Sequence, residues 1–97
     1  MTQLTDITLT FEEILAASRC RRDWLLELIE EEIISVNGRP EQTLYSGFQL
    51  ARIRRAQRLS RDFDAGIPAL GLIMRLLDEV EELRKAQQPL SLLDEGK

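Results

Sequence analysis

The fold is decided by residues 10–38, which read TFEEILAASRCRRDWLLELIEEEIISVNG. Thr10 stands three residues before Glu13, and this is the spacing of a capping box that satisfies the first free N–H groups of a helix. The apolar residues that follow share one face of a helix of about two turns: Phe11, Ile14 and Leu15. The run from Ser18 to Arg22 interrupts this periodicity, so it predicts a tight turn before a second helix.

The second helix begins at residue 22 or 23, and its apolar residues recur at helical spacing: Trp24, Leu25, Leu28 and Ile29. A β-branched run at residues 33–36 then leads to Asn37-Gly38, a dipeptide typical of tight hairpin turns. Leu44-Tyr45 is the expected returning strand. Residues 33–45 therefore predict a small hairpin, or wing.

Two longer helices complete the pattern. One opens at Ser46 or Gly47 and stops near residues 64–66, and the other runs from about residue 67 to residue 88, before Pro89. A very short strand at residues 7–9 is also possible, because apolar and polar residues alternate there. Two short helices, a tight turn, a wing and two longer helices predict a mainly α fold of the winged helix-turn-helix type. Residues 1–88 would form this single domain, and residues 89–97 a mobile C-terminal tail.

Composition excludes several classes of function. The chain has 97 residues, of which 43% are hydrophobic and 31% charged, and this suits one small globular domain. It contains no His and a single Cys, Cys20, so the usual proton shuttle, an internal disulfide and a cysteine-based zinc site are excluded. We expect no catalytic residues, no metal and no cofactor. The sequence shows neither a membrane-helix pattern nor a secretion signal, so we expect a cytoplasmic protein without a membrane anchor.

Charges of opposite sign are concentrated in different segments. The second helix and its exit carry a cluster of acids, namely Glu27, Glu30, Glu31 and Glu32, whereas residues 46–63 hold five arginines and one acid. The plain interpretation is two solvated helix faces, and the functional one is a pair of patches that bind a charged partner. In a DNA-binding helix-turn-helix the second helix enters the major groove, where these glutamates would meet phosphates. The electrostatics therefore argue against specific DNA binding.

The stretch Leu9 to Leu83 resembles the CbpM family of chaperone modulators, which have a MerR-like helix-turn-helix domain. The resemblance lies in the order and spacing of several elements: Thr10-Phe11-Glu12-Glu13, Trp24-Leu25-Leu28, Glu32-Ile33-Ile34, Tyr45 before the arginine-rich residues 52–59, and the Ile67-Pro68 junction. DNA-reading MerR-like proteins usually carry glycine where this chain has Arg19 and Glu32. The departure favours the modulators over the transcription factors.

This resemblance implies a partner. Members of the modulator family bind the J-domain of a DnaJ-like co-chaperone, CbpA, inhibit its work with DnaK and suppress its DNA binding. Because J-domains carry a basic helix that engages DnaK, the first candidate for the contact is the acidic cluster Glu27, Glu30, Glu31 and Glu32. A MerR-like DNA-binding regulator is the alternative, and a pure assembly or scaffold module is the third possibility.

The last helix predicts a homodimer. It carries two apolar lines, which form a wider stripe than one small domain generally needs. The residues expected at the interface are Ile73, Leu76, Leu77, Val80 and Leu83. MerR-like proteins pair through an antiparallel helix in the corresponding place. The plain alternative is a helix clamped between two others of the same chain.

Two residues near the tight turn have competing interpretations. For Cys20 we expect an inert packing thiol, with a redox-sensitive thiol as the alternative, because Arg19, Arg21 and Arg22 could lower its pKa. The spacing of Trp24 favours a core or half-core position over an exposed interface anchor.

Overall fold

The computed structural model describes residues 7–95, with side chains described as far as Gln87. It consists of a two-stranded sheet, four α-helices and one short 3₁₀ turn. In chain order these are β1 (Thr8–Leu9), α1 (Phe11–Ser18), α2 (Arg22–Glu30), the 3₁₀ turn (Pro40–Gln42), β2 (Tyr45–Ser46), α3 (Gly47–Phe63) and α4 (Ile67–Glu95).

Local sequence signals explain where α1 and α3 begin. Thr10 and Glu13 form the predicted capping box at α1, with each side chain bonded to the other residue's backbone N–H. Ser46 and Gln49 form a second capping box at the start of α3. Since these bonds satisfy N–H groups that have no partner within the helix, both starts follow directly from the sequence.

The sheet joins the N-terminus to the start of α3. β1 and β2 are antiparallel, with Leu9 opposite Tyr45. The pairing brings the Phe11 and Tyr45 rings to 6.2 Å between centroids, and both side chains are buried. The short strand expected at residues 7–9 is therefore confirmed. The fold class is also confirmed: the chain is mainly α, a helix-turn-helix with a small antiparallel sheet followed by two longer helices.

The hairpin predicted within residues 33–45 is wrong, although Tyr45 does belong to a strand, β2. Residues 33–36 form no strand, and Tyr45 pairs with β1 instead of with them. The N–H groups of Ile33 and Ile34 both donate to the Leu28 carbonyl, so the chain folds back onto the end of α2 and cannot extend. Both isoleucine side chains are buried, whereas consecutive residues of a strand point to opposite faces.

One hydrophobic core is shared by all four helices and the loop between α2 and β2. Its buried residues are Phe11, Ile14, Leu25, Leu28, Ile33, Ile34, Tyr45, Ile53, Ala56, Ile67, Leu70 and Met74. The spacing of Ile67, Leu70 and Met74 places them on one side of α4, which fixes the first turns of that helix against the domain. The rest of α4 continues beyond the core.

The end of α4 differs from the prediction. The helix runs through Pro89 to Glu95, so its predicted end at residue 88 is wrong. Proline removes one backbone donor from a helix, but residues 81–87 are exposed, so water can satisfy the freed carbonyl. The mobility expected of residues 89–97 stays a prediction, because the side chains of residues 88–95 and all of residues 96–97 lie outside the described residues.

Candidate functional site

The end of α2 presents an exposed acidic surface. It consists of the four glutamates that the sequence singled out, Glu27, Glu30, Glu31 and Glu32, and the structure brings all four to the same end of α2 with their side chains exposed. None of the ion pairs within the described side chains involves any of them. No cation among the described side chains therefore occupies the acidic surface.

Glu32 occupies a backbone conformation that favours glycine. Its φ is +62°, in the left-handed region. The Glu32 N–H donates to the Ile29 carbonyl and the Ile33 N–H to the Leu28 carbonyl, which is the Schellman arrangement that ends many helices. A side chain at such a position costs about 1 kcal/mol relative to glycine. The acidic surface is thus built partly on a strained residue.

The five arginines of α3 divide between two sides of the helix. Arg52 donates to the Ile33 carbonyl at 2.7 Å and pairs with the Asp78 carboxylate at 2.8 Å, which ties α3 to both the loop after α2 and to α4. Arg55 lies 3.8 Å from Glu81 on the same side. These two arginines therefore serve the fold.

Two of the other three arginines, Arg54 and Arg61, lie near the end of α1 and the turn that follows it. Helical spacing places Arg54, Arg58 and Arg61 on one side of α3, and Arg54 donates to the Ala17 carbonyl at 3.2 Å. Arg61 also lines an open cleft of about 300 Å³ between that turn and α3, together with Cys20, Arg21, Trp24, Gln57 and Ser60. We refer to this feature as the Trp24 cleft.

Trp24 and Cys20 are partly buried and pack against the core, as expected for both. Gln57 donates to the Ser18 carbonyl at 2.8 Å, which holds α3 against the turn. The Arg21 guanidinium, hydrogen-bonded to Asp23, lowers the pKa of that carboxyl. No pair at the mouth of the cleft is shielded from water: the Arg21 and Asp23 side chains are both at least 70% exposed.

A second exposed feature is an apolar line on α4. Of the predicted interface residues, Leu76, Val80 and Leu83 are exposed by 41–63%, whereas Ile73 and Leu77 are half-buried. Leu72 belongs to the same line and was missed, although its spacing of four residues from Leu76 could have revealed it. The second apolar line is the buried one, through Leu70 and Met74.

The structure holds no obvious chemical centre in the part that it describes. Among the described residues, no group of three or more His, Cys, Asp or Glu side chains is placed to hold a metal ion. No helix within these residues is long and apolar enough to cross a membrane.

Comparison with known proteins identifies the family of this chain. The sequence model described as MerR HTH family regulatory protein matches residues 9–91. The chain belongs to the MerR helix-turn-helix family. Among the relatives of this MerR-family chain is the chaperone modulatory protein CbpM of Pseudomonas entomophila (strain L48), 29% identical over 69 residues that cover 70% of this chain and 68% of the relative. The CbpM of Coxiella burnetii (strain Dugway 5J108-111) is 26% identical over 83 residues, covering 84% and 78% of the two chains.

These relatives confirm the resemblance to the CbpM family. No solved structure matches the chain. The family match extends well into α4, so it covers the acidic surface, the Trp24 cleft and the apolar line alike.

Proposed function

We propose that this MerR-family protein is a cytoplasmic chaperone modulator without enzyme activity. In this proposal it binds the J-domain of a co-chaperone of the CbpA or DnaJ type and inhibits the action of that co-chaperone with DnaK. Two relatives carry the name chaperone modulatory protein CbpM, which supports the general role. No cofactor is required for a function of this kind.

The acidic surface is the observation that carries the proposal. Its four glutamates are exposed and belong to none of the described ion pairs, so they can meet a basic helix of a J-domain without first breaking contacts of their own. Complementary charges raise the association rate and orient the partner, and they do so most strongly at low salt. Binding through Glu27, Glu30, Glu31 and Glu32 should therefore weaken as salt is added.

A DNA-binding regulator remains the alternative implied by the family, but its recognition helix would be α2. Glu27, Glu30 and Glu31 are exposed there and would face phosphates spaced about 1.7 Å apart along the duplex axis. No feature of the described residues favours specific DNA binding over protein binding.

The proposal is tested with a purified J-domain in titration calorimetry. The double substitution Glu27→Lys and Glu31→Lys should weaken binding at least tenfold, because it replaces attraction by repulsion at two contacts that are each worth up to about 1 kcal/mol. In the matched control, Glu12→Lys with Asp62→Lys, the net charge changes equally at exposed positions outside α2. Equal weakening in both variants would show that only net charge matters and would contradict the assignment.

Inhibition is measured separately. The stimulation of DnaK ATPase by the J-domain protein should fall as this chain is added, and it should recover when the Glu27→Lys, Glu31→Lys variant replaces the wild type. Binding without any loss of stimulation would contradict the inhibitory role while leaving the J-domain contact in place.

We further propose that the protein is a homodimer paired through α4. The apolar line of Ile73, Leu76, Leu77, Val80 and Leu83, extended by Leu72, is largely uncovered by the protein's own domain. Two acids of α4 are already engaged, Asp78 by Arg52 and Glu81 by Arg55, so Glu79 and Glu82 are left to approach Arg84 and Lys85 of an antiparallel second copy. Burial of the apolar line would supply most of the energy, at about 25 cal/mol per Å².

Sedimentation equilibrium tests this interface. The substitutions Val80→Glu and Leu83→Glu should convert a dimer to a monomer, because they bury charge without a partner. The control Leu44→Glu with Phe63→Glu places the same charge at exposed apolar positions outside α4 and should leave the dimer intact. A wild type that sediments as a monomer at tens of micromolar would refute the proposal.

A further inference from the structure

The Trp24 cleft combines an apolar floor with a basic rim. Partly buried Trp24 and Cys20 give the cleft its apolar lining, and Gln57 and Ser60 line it from α3. Arg21, just before α2, and Arg61, in the last turn of α3, flank it. Its volume of about 300 Å³ lies at the small end of the range of ligand sites. A cleft of this size takes one side chain of a larger partner more readily than a whole small molecule.

The charges around the cleft are mostly positive. Arg54 and Arg58 share the side of α3 that bears Arg61, and Arg19 directly precedes Cys20 in the turn. The acids beside the rim are Asp23, which contacts Arg21 at 3.2 Å, and Asp62, which lies 4.0 Å from Arg61. Glu27 is a third nearby acid, one helical turn after Trp24. Because the two ion pairs are exposed they are worth little, so a partner's carboxylates can replace them at small cost.

We propose that the Trp24 cleft binds an acidic peptide segment that carries one apolar side chain. The apolar side chain enters the cleft against the Trp24 indole, and flanking carboxylates accept hydrogen bonds from Arg21 and Arg61. Tryptophan and arginine are the residue types that most often dominate the energy of protein interfaces. This inference concerns a basic surface and an acidic ligand, so it goes beyond the acidic surface assigned to the J-domain.

The position of the cleft favours a peptide over a nucleic acid. Glu27 and Glu31 follow Trp24 by three and seven residues, which places them on the same side of α2. A duplex long enough to cover the arginines would bring phosphates against these glutamates. A short peptide can occupy the arginine side alone.

The experiment uses the chain's single tryptophan as the reporter. The probe is a nine-residue peptide with a central leucine and four acidic residues on each side, titrated into the full-length protein while the emission of Trp24 is recorded. We expect a saturable change in emission. Replacing the leucine of the peptide by serine should weaken binding about tenfold or more, as expected for loss of an apolar anchor.

Protein variants test the rim. Arg21→Gln with Arg61→Gln should weaken binding of the peptide about five- to tenfold, in line with the loss of two exposed charge contacts. The matched control, Arg39→Gln with Arg75→Gln, removes the same charge from exposed positions away from the cleft and should bind like the wild type.

Several results would overturn the proposal. The first is Trp24 emission that stays constant up to millimolar peptide, and the second is equal weakening of peptide binding in the two protein variants. The third is a sixteen-base-pair duplex that saturates the emission change at lower concentration than the peptide does. The fourth is an emission change that depends on protein concentration in the absence of peptide. The last two results would assign the cleft to nucleic acid or to a second copy of the chain. Because no J-domain is present in the assay, none of these results bears on J-domain binding.

Discussion

The two sides of α3 carry the same residue type in different surroundings. On one side Arg52 and Arg55 pair with acids of α4, and Arg52 also holds the Ile33 carbonyl. On the other side Arg54 donates to the Ala17 carbonyl, and Arg58 and Arg61 are exposed. The first side ties α3 to α4, and the second is the side more exposed to solvent.

This difference shows that charge count is a poor guide to function. The five arginines look equivalent in the sequence, yet the partly buried Arg52 is bonded to both Ile33 and Asp78, whereas the exposed Arg58 belongs to none of the described ion pairs. Hydrogen bonds to charged groups stabilise more when they are shielded from water, so equal charges can contribute unequally to stability.

The largest expected effect on stability is on the side of α3 that carries Arg52 and Arg55. Arg52→Ala should lower the free energy of unfolding by about 2 kcal/mol, because it leaves the Asp78 carboxylate and the Ile33 carbonyl without their donor. Arg52→Lys should lose about half as much, since an ammonium cannot reproduce the two parallel bonds. Urea denaturation measures both.

Arg58→Ala is the control for Arg52→Ala. It removes an exposed arginine from the opposite side of α3 and should change stability by no more than about 0.5 kcal/mol. Equal losses for Arg52→Ala and Arg58→Ala would contradict the division of α3 into two sides.

A neutral polar group just before α3 sharpens the comparison. The Tyr45 hydroxyl donates to the Pro40 carbonyl at 2.8 Å, and the residue is buried. Tyr45→Phe should therefore cost about 1 kcal/mol at neutral pH, measured by urea denaturation. An unchanged urea midpoint would mean that this hydrogen bond makes no net contribution to the free energy of unfolding.

Tyr45 also predicts a loss of stability in alkali. Its burial, with a smaller effect of the Glu41 carboxylate, raises the pKa of Tyr45 to about 12. The phenol of the unfolded chain ionises near pH 10, so the unfolded state releases its proton first as the pH rises. Stability should fall by about 2 kcal/mol between pH 10 and pH 12. Thermal unfolding of Tyr45→Phe across the same pH range should lack this component of the loss.

A substitution at Glu32 tests whether its strained backbone is tolerated because its carboxylate contributes to the acidic surface. Glu32→Gly should raise the free energy of unfolding by about 0.5–1 kcal/mol, because glycine adopts a positive φ freely. The same variant should bind a J-domain more weakly, since one charge of the acidic surface is gone. Greater stability with unchanged affinity would remove Glu32 from the proposed contact.

The smallest expected effect concerns nucleic acid. The exposed side of α3 should give only weak, sequence-independent retention of duplex DNA that disappears near physiological salt. Fluorescence anisotropy with two unrelated duplexes measures it, and Arg58→Gln with Arg61→Gln should reduce the retention at low salt. A complex selective for one sequence, at about 10⁻⁸ M, would favour the DNA-binding alternative instead.

The sequence by itself determined the elements that depend on near neighbours. Thr10 and Glu13 predicted the start of α1, and helical spacing predicted two apolar lines along α4. The bonds behind such patterns join residues three or four positions apart, so a single stretch of chain contains all the information. The sequence also predicted the acidic surface at the end of α2, because exposed charges need no tertiary partner.

Only the tertiary structure decided which distant segments meet. The partner of Tyr45 is Leu9 and not residues 33–36, because Ile33 and Ile34 both bond back to Leu28 and are buried together. Arg52 and Asp78 are separated by 26 residues, so nothing local distinguishes Arg52 from Arg54. The Trp24 cleft likewise joins the first turn of α2 to the last turns of α3. Contacts between residues so far apart in sequence depend on how the whole core packs. The periodicity of a single segment contains no information about that packing.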